Sequence, residues 1–176
     1  MLKSAVKRKL IVFVCKGNIH RSAIAEQILK KLFKEKGLNN KFDVISRGVQ
    51  GSAGTRPTMH KNITKYEEWE ISKPSLEELN IDITKHKARP ITKYVANKAD
   101  VIIAFDKVIL ENHEVALIKQ FPEFCNKIHL LSELEGKIED IPDCKGIEDP
   151  EFHRVVTKRI HYILNNHWKE LIEWIG

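Results

Sequence analysis

Cysteine is scarce: the 176 residues hold three, Cys15, Cys125 and Cys144. An odd count at irregular spacing builds no disulfide framework and matches no zinc-binding pattern, which suits a reducing compartment. Repeats, low-complexity tracts and long Gly/Ser/Pro linkers are missing as well, so one domain with a substantial hydrophobic core is expected over residues 1–176. No long apolar run is present. The basic start from Lys3 to Lys9, ahead of Leu10 to Val14, imitates a signal peptide, yet its apolar run is too short for an h-region and no small-residue cleavage site follows. A cytoplasmic location without a membrane partner is expected. Acidic residues are outnumbered, 24 against 30 Lys and Arg, for a formal net charge of +6. The excess is scattered and no aromatic-studded basic motif appears, which argues against a nucleic-acid partner.

What the chain does have is concentrated between Leu10 and Ser22. An apolar run, Leu10-Ile11-Val12-Phe13-Val14, leads into Cys15-Lys16-Gly17-Asn18-Ile19-His20-Arg21-Ser22 and then into an amphipathic stretch. A strand therefore delivers a cysteine, a short loop follows, and a helix begins at an arginine and a serine. Such a loop turns its backbone N–H groups inward, and the helix adds the positive end of its dipole, so the segment is suited to hold a phosphate. The same environment favours the anionic, nucleophilic form of a cysteine. Arg21 can clamp two phosphate oxygens, Ser22 can donate to the Cys15 sulfur, and Gly17 and Asn18 provide permissive backbone. Lys16, Ile19 and His20 complete the cradle. A buried, inert cysteine after an apolar strand is the bland alternative, but the strand–loop–helix context and the Arg-Ser pair speak against it.

The rest of the chain reads as alternating strands and helices. Ala25, Ile28, Leu29, Leu32 and Phe33 recur at helical spacing, with Gly37 as the stop; Phe42 to Ser46 is a strand, giving a parallel β-α-β unit. Gly48, Gly51, Gly54 and Pro57 punctuate a loop whose large aromatics are Tyr66 and Trp69. Pro74 to Leu79 is expected to be a short helix ended by Asn80, Thr92 to Asn97 a helical turn, Asp100 to Phe105 a third strand, Lys107 to Gln120 a helix, and Lys127 to Leu131 a fourth strand. The last helix carries the clearest periodicity, with Phe152, Val155, Val156, Ile160, Ile163, Leu164, Trp168, Leu171, Ile172 and Ile175 on one face. His153, His161 and His167 also lie on it; with no convergent cysteine or carboxylate visible in the sequence, they read as surface or edge residues. The fold class is α/β: a three-layer, flavodoxin-like domain with a four-stranded parallel sheet flanked by helices. Its ligand would sit at the carboxyl ends of the strands, where the Cys15 loop lies.

The Cys15 to Ser22 segment resembles the phosphate loop of the low-molecular-weight protein tyrosine phosphatases, C-x-G-N-x-C-R-S, and the resemblance extends over nearly the whole chain apart from Val49 to Ser72. It implies a cysteine-dependent phosphomonoesterase that forms a phosphocysteine and needs no metal or organic cofactor. The substrate would be a phosphotyrosine protein or a small phosphomonoester. His20 stands where the family carries a second cysteine. By the same resemblance, His86 and Ser46 would brace the loop through Asn18, and Trp69 would be either an aromatic wall of the cleft or a buried packing residue. Two aspartates compete for the general acid. Asp149 sits in the family's Asp-Pro pair, but Asp149, Pro150 and Glu151 also read as N-cap, N1 and N2 of the last helix. Counting back from Phe152 with the family's loop length lands on Asp143, the preferred acid. Lys16, Lys145 and Gly146 then replace apolar or aromatic residues, which implies a more basic, less aromatic cleft and a preference for acidic phosphopeptides or non-aromatic phosphomonoesters.

Two other classes stay open. A thiol-dependent arsenate reductase uses the same fold, and Cys125 and Cys144 supply the required count, although that family's relay cysteines follow the third strand, where this chain has Asp106 and Lys107. A non-catalytic module that binds phosphorylated partners is the other. Cys144 could also form a disulfide with Cys15 under peroxide. The oligomeric state is not legible.

Overall fold

The computed structural model of the chain describes residues 7–49, 51 and 55–176. Lys3 of the basic N-terminal run and Gly54 of the central loop lie outside the described residues. Strands β1 (Lys9–Cys15), β2 (Phe42–Gly48), β3 (Val101–Ala104) and β4 (Ile128–Leu130) form a parallel sheet in the order β2-β1-β3-β4. Strand β1 is central, and its side chains alternate between two apolar layers, as the period of two of a strand requires. Ile11, Phe13 and Cys15 face a core shared with α1 (Arg21–Glu35), α2 (Glu68–Glu78) and α5 (Pro150–Ile175). Val12 and Val14 face the opposite layer, built with Ala96 of α3 (Lys93–Lys98) and Leu117 of α4 (Leu117–Gln120). The three layers and four parallel strands are those the sequence pattern implies.

Local signals set most of the boundaries. Helix α1 stops at Gly37, whose φ of 68° lets its amide and that of Leu38 turn back onto the carbonyls of Lys34 and Phe33. Asn80 takes a left-handed φ of 53° after α2, and Thr92 caps α3 by accepting from the Val95 amide at 3.2 Å. Helix α5 opens on Asp149, which accepts from the Glu151 amide at 3.0 Å, with Pro150 in the first turn.

Three expectations need correction. Helix α2 starts at Glu68 and not at Pro74, which lies inside it. Proline costs the helix one hydrogen bond there, but Ser72, Ser75 and Leu76 are buried and Trp69 packs on the core, so tertiary contact outweighs the local rule. The stretch Lys107 to Gln120 is not one helix: a π-helical turn at Val108–Asn112 is separated from α4 by His113 to Ala116, where the Val115 amide bonds back to His113 Nδ1. On α5, Val155 is 57% exposed, whereas His153, expected at the surface, is fully buried. The helix face that meets the core is thus rotated away from Val155 and includes a histidine.

The carboxyl ends of β1, β2 and β3 lie side by side. Cys15 leaves β1, Gly48 closes β2 beneath the loop, and Asp106 follows β3. At Gly48 a Cβ would come within 2.7 Å of Thr55 Cγ2, 2.9 Å of the Gly17 carbonyl carbon and 3.0 Å of the Asn18 nitrogen. Those backbone atoms belong to the loop and cannot swing aside. Gly48→Ala should therefore cost about 1–3 kcal/mol by overpacking, visible as a melting temperature lower by several degrees, together with at least tenfold weaker binding of inorganic phosphate. Unchanged melting and binding would show that the loop can shift at no cost.

Candidate active site

Strand β1 ends with Cys15, 4% exposed, and α1 begins with Arg21, 2% exposed. Between them Asn18, and not Gly17, takes the left-handed turn, at φ 56°. Its side chain is fully engaged. Nδ2 donates to Ser22 Oγ and Ser46 Oγ, both at 2.9 Å, and Oδ1 accepts from the Arg89 amide at 2.9 Å. Its carbonyl accepts from His86 Nε2 at 2.9 Å, so that nitrogen carries the hydrogen. Burial, above all, lowers the pKa of His86, which keeps the ring a neutral donor to that carbonyl. Ser46 in turn donates to Glu26 Oε2 at 2.5 Å. Since the Ser22 oxygen accepts from Asn18, its own hydrogen is free for the Cys15 sulfur, 3.0 Å away. Glu26 is a member of this network that sequence reasoning did not pick out; its place one turn into α1, opposite Ser46, exists only once the β-α-β unit is folded.

Arg21 carries its charge inside the protein and is paired accordingly. Nη1 donates to Asp106 Oδ2 at 2.5 Å and to the Ile141 carbonyl at 2.7 Å, while Nη2 lies 3.3 Å from Asp143 Oδ2. Burial works against the charge, but the combined field of Cys15, Asp143 and Asp106 holds the guanidinium above its usual pKa. Asp106 is fixed from its other oxygen by the Ile109 amide at 2.8 Å. The sequence offers one signal for it, an aspartate directly after a buried parallel strand, at the carboxyl edge where such sheets bind ligands.

The low molecular weight phosphotyrosine protein phosphatase model matches residues 10–173. The chain belongs to this family. It is 29% identical over 137 residues to a protein-arginine-phosphatase of Bacillus subtilis, covering 77% of this chain and 79% of that one. It is also 29% identical to an arsenate reductase of Bacillus anthracis, covering 84% and 86%. Among solved structures, a low molecular weight protein tyrosine phosphatase from T. tengcongensis superposes with a TM-score of 0.72 at 25% identity, covering 92% and 99%.

In this phosphatase the cleft is lined by Cys15, Lys16, Gly17 and Arg21 of the loop, and by the apolar surface of Ile19, Ile63 and Tyr66. Tyr66, and not Trp69, supplies the aromatic surface; Trp69 packs on the core. The aromatic wall that the sequence seemed to lack is therefore present, delivered by the loop before α2. That loop is anchored by Asn62, whose Nδ2 reaches the carbonyls of Thr84 and His86 at 2.8 and 2.6 Å. Asp143, Cys144, Lys145 and Glu68 also line the cleft, and Glu68 Oε1 accepts from the Gly146 amide at 2.9 Å. Glu68 and Asp143 line the cleft beside Lys16 and Lys145, so its lining carries carboxylates as well as the lysines. Asp149 does not line it.

His20 and His153 bring a further correction. Both are buried, and a ring nitrogen of each lies within 4.8 Å of the other and of the Cys144 sulfur. Burial first, then His153 and Arg21, hold the His20 pKa down near 3. Burial, with Asp143 adding to it, pushes the Cys144 thiol up to about 12, so Cys144 is no nucleophile near neutral pH. All three cysteines are free thiols.

Asp106→Asn keeps an acceptor for Ile109 but removes the charge opposite a buried guanidinium. The melting temperature should fall by several degrees, corresponding to about 2–4 kcal/mol, and phosphate affinity should drop at least tenfold. A variant as stable as the parent would mean that Asp143 alone suffices to hold Arg21.

Proposed function

We propose that this phosphatase performs a two-step phosphoryl transfer with Cys15 as nucleophile and Asp143 as general acid and base. The observation that carries the reading is the convergence of the Cys15 sulfur, the Arg21 guanidinium and the Asp143 carboxylate on one cleft. Arg21 and the amides of Lys16 to Ser22 hold the phosphate oxygens, meeting charge with donors that are in place before the substrate arrives. The Cys15 thiolate attacks phosphorus in line, an S–P bond forms, and the P–O bond to the leaving group breaks. Asp143, entering as the carboxylic acid, gives its proton to the departing oxygen. The resulting carboxylate then takes a proton from water, whose oxygen attacks phosphorus and returns Cys15 as thiolate. No step calls for a metal or an organic cofactor, and Asn18, Ser46 and His86 act by holding the loop. Asp149 supports this assignment by being engaged elsewhere, at the helix cap.

The apolar wall of Ile19, Ile63 and Tyr66 favours a flat aryl phosphate, and hence a phosphotyrosine side chain, over the non-aromatic esters that the lysines suggested. The arsenate reductase reading lacks a relay. Cys125 is exposed and lies just ahead of β4, at the amino edge of a parallel sheet whose carboxyl edge holds Cys15. Phosphoarginine is the relevant competitor, because the Bacillus subtilis relative acts as a protein-arginine-phosphatase.

Hydrolysis of para-nitrophenyl phosphate, a phosphotyrosine peptide and a phosphoarginine peptide, without added metal, tests the reading. Cys15→Ser should abolish turnover and keep phosphate binding. Asp143→Asn should cut kcat by about 10²- to 10⁴-fold, whereas Asp149→Asn should leave kcat within a few-fold and lower stability by a few tenths of a kcal/mol to about 1 kcal/mol. Damage by Asp149→Asn alone would transfer the acid role, and faster turnover of phosphoarginine than of phosphotyrosine would overturn the aryl preference.

A further inference from the structure

His20, in the phosphate loop, holds a buried polar atom that neither the fold nor the proposed chemistry uses. Hydrogen bonding fixes how its neighbourhood is protonated. His153 Nε2 lies 2.7 Å from the Ile147 carbonyl, which only accepts, so that nitrogen carries the hydrogen and Nδ1 carries a lone pair. This lone pair takes the Ser72 hydroxyl at 2.6 Å. The Ser72 oxygen then accepts from His20 Nε2, 3.2 Å away, which leaves Nδ1 as the lone-pair nitrogen of His20. That atom is buried and has no hydrogen-bond partner among the described residues, in a residue 8% exposed. An orphaned acceptor of this kind has lost its water and gained nothing in return unless something meets it.

Cys144, 2% exposed, closes the group: its sulfur and one ring nitrogen of each histidine all lie within 4.8 Å of one another. Two imidazoles and a thiol, buried and with no carboxylate among them, are a donor set for a borderline-soft cation and a poor one for Mg²⁺ or Ca²⁺. Ligand atoms on a tetrahedral zinc ion stand about 3.4–3.6 Å apart, given bonds of about 2.0–2.3 Å. Side-chain rotation that closes separations of up to 4.8 Å to this spacing would bring one donor of each residue onto one ion.

We propose that His20, His153 and Cys144 bind a single zinc ion, with water as the fourth ligand. Binding is ligand exchange without electron transfer. The Cys144 sulfur releases its proton to solvent as the S–Zn bond forms, His153 Nδ1 exchanges the Ser72 hydroxyl for the ion, and His20 Nδ1 gains its missing partner. The Ile147 carbonyl keeps its bond to His153 Nε2 and so orients the ring toward the metal. The ion would tie the phosphate loop to the residue beside Asp143. Zinc is then a reversible inhibitor, a consequence that, unlike the binding, rests on the function proposed above.

Cobalt(II) reads out the ligands directly. Cys15→Ser combined with Cys125→Ser leaves Cys144 as the sole thiol of the chain. This protein, its fold checked by circular dichroism and melting, should take up one equivalent of Co²⁺ with a thiolate-to-cobalt charge-transfer band and the strong visible bands of tetrahedral geometry. One equivalent of Zn²⁺ should erase both. His153→Gln should weaken Co²⁺ binding at least tenfold. Ser72→Ala leaves all three ligands in place and removes the competitor for His153 Nδ1, so it should bind at least as tightly as its parent. Absence of the charge-transfer band from the folded double variant overturns the site, as does a loss of affinity in Ser72→Ala or none in His153→Gln. Any of these results leaves turnover measured without metal, and with it the phosphatase reading, untouched.

Discussion

A guanidinium buried to 2% exposure must be surrounded by groups that replace its lost water, and Arg21 is where the parts of this protein meet. Asp106 comes from the end of β3, the Ile141 carbonyl and Asp143 from the segment after β4, and Cys15 from the end of β1. Three chain segments far apart in sequence are held to one charge. The backbone reinforces the arrangement, since the Ile141 amide donates to the Phe105 carbonyl at 2.7 Å and Asp140 accepts from the Lys107 amide at 2.8 Å. The Phe105 ring lies 5.9 Å from the guanidinium carbon and closes the site from the core side.

The loop itself is held in shape by its own hydrogen bonds. Asn18 uses both amide hydrogens, its side-chain oxygen and its carbonyl, and its four partners come from three parts of the chain: Ser22 from α1, Ser46 from β2, and Arg89 and His86 from the segment before α3. Because Ser46 passes its hydrogen to Glu26, and Ser22 is left to point its own at Cys15, the direction of every bond in the network follows from the acceptors at its ends. Such a cradle does not need to reorganise when a phosphate enters, which is the condition for electrostatic stabilisation to act on the transition state.

Several elements were legible from local chemistry. The strand–loop–helix around Cys15, the four strands, the stop at Gly37 and the cap at Asp149 all depend on residues close in sequence, or on spacing within one helix. The misreadings have a common origin. Pro74 reads as a helix start because the rule for proline is local, while the burial of Ser72 and Leu76 that carries the helix through it is not. Tyr66 and Trp69 are three residues apart in a segment without clear period, so nothing local says which one faces the cleft. Histidine fits either a surface or an interior, and His153 is interior because Ser72 and the Ile147 carbonyl satisfy both of its nitrogens.

The sequence by itself determined the class of the fold and the strand–loop–helix that carries Cys15 and Arg21, because these reside in contiguous residues whose conformation is set by hydrophobic period and backbone preference. Only the tertiary structure decided that Asp106 shares Arg21 with Asp143, that Tyr66 walls the cleft, and that His20 meets His153 and Cys144. Each of those is a contact between segments many residues apart, and it exists because burial leaves a charge, an apolar ring or a lone pair without water. Sequence shows which group needs a partner; packing selects which one it gets.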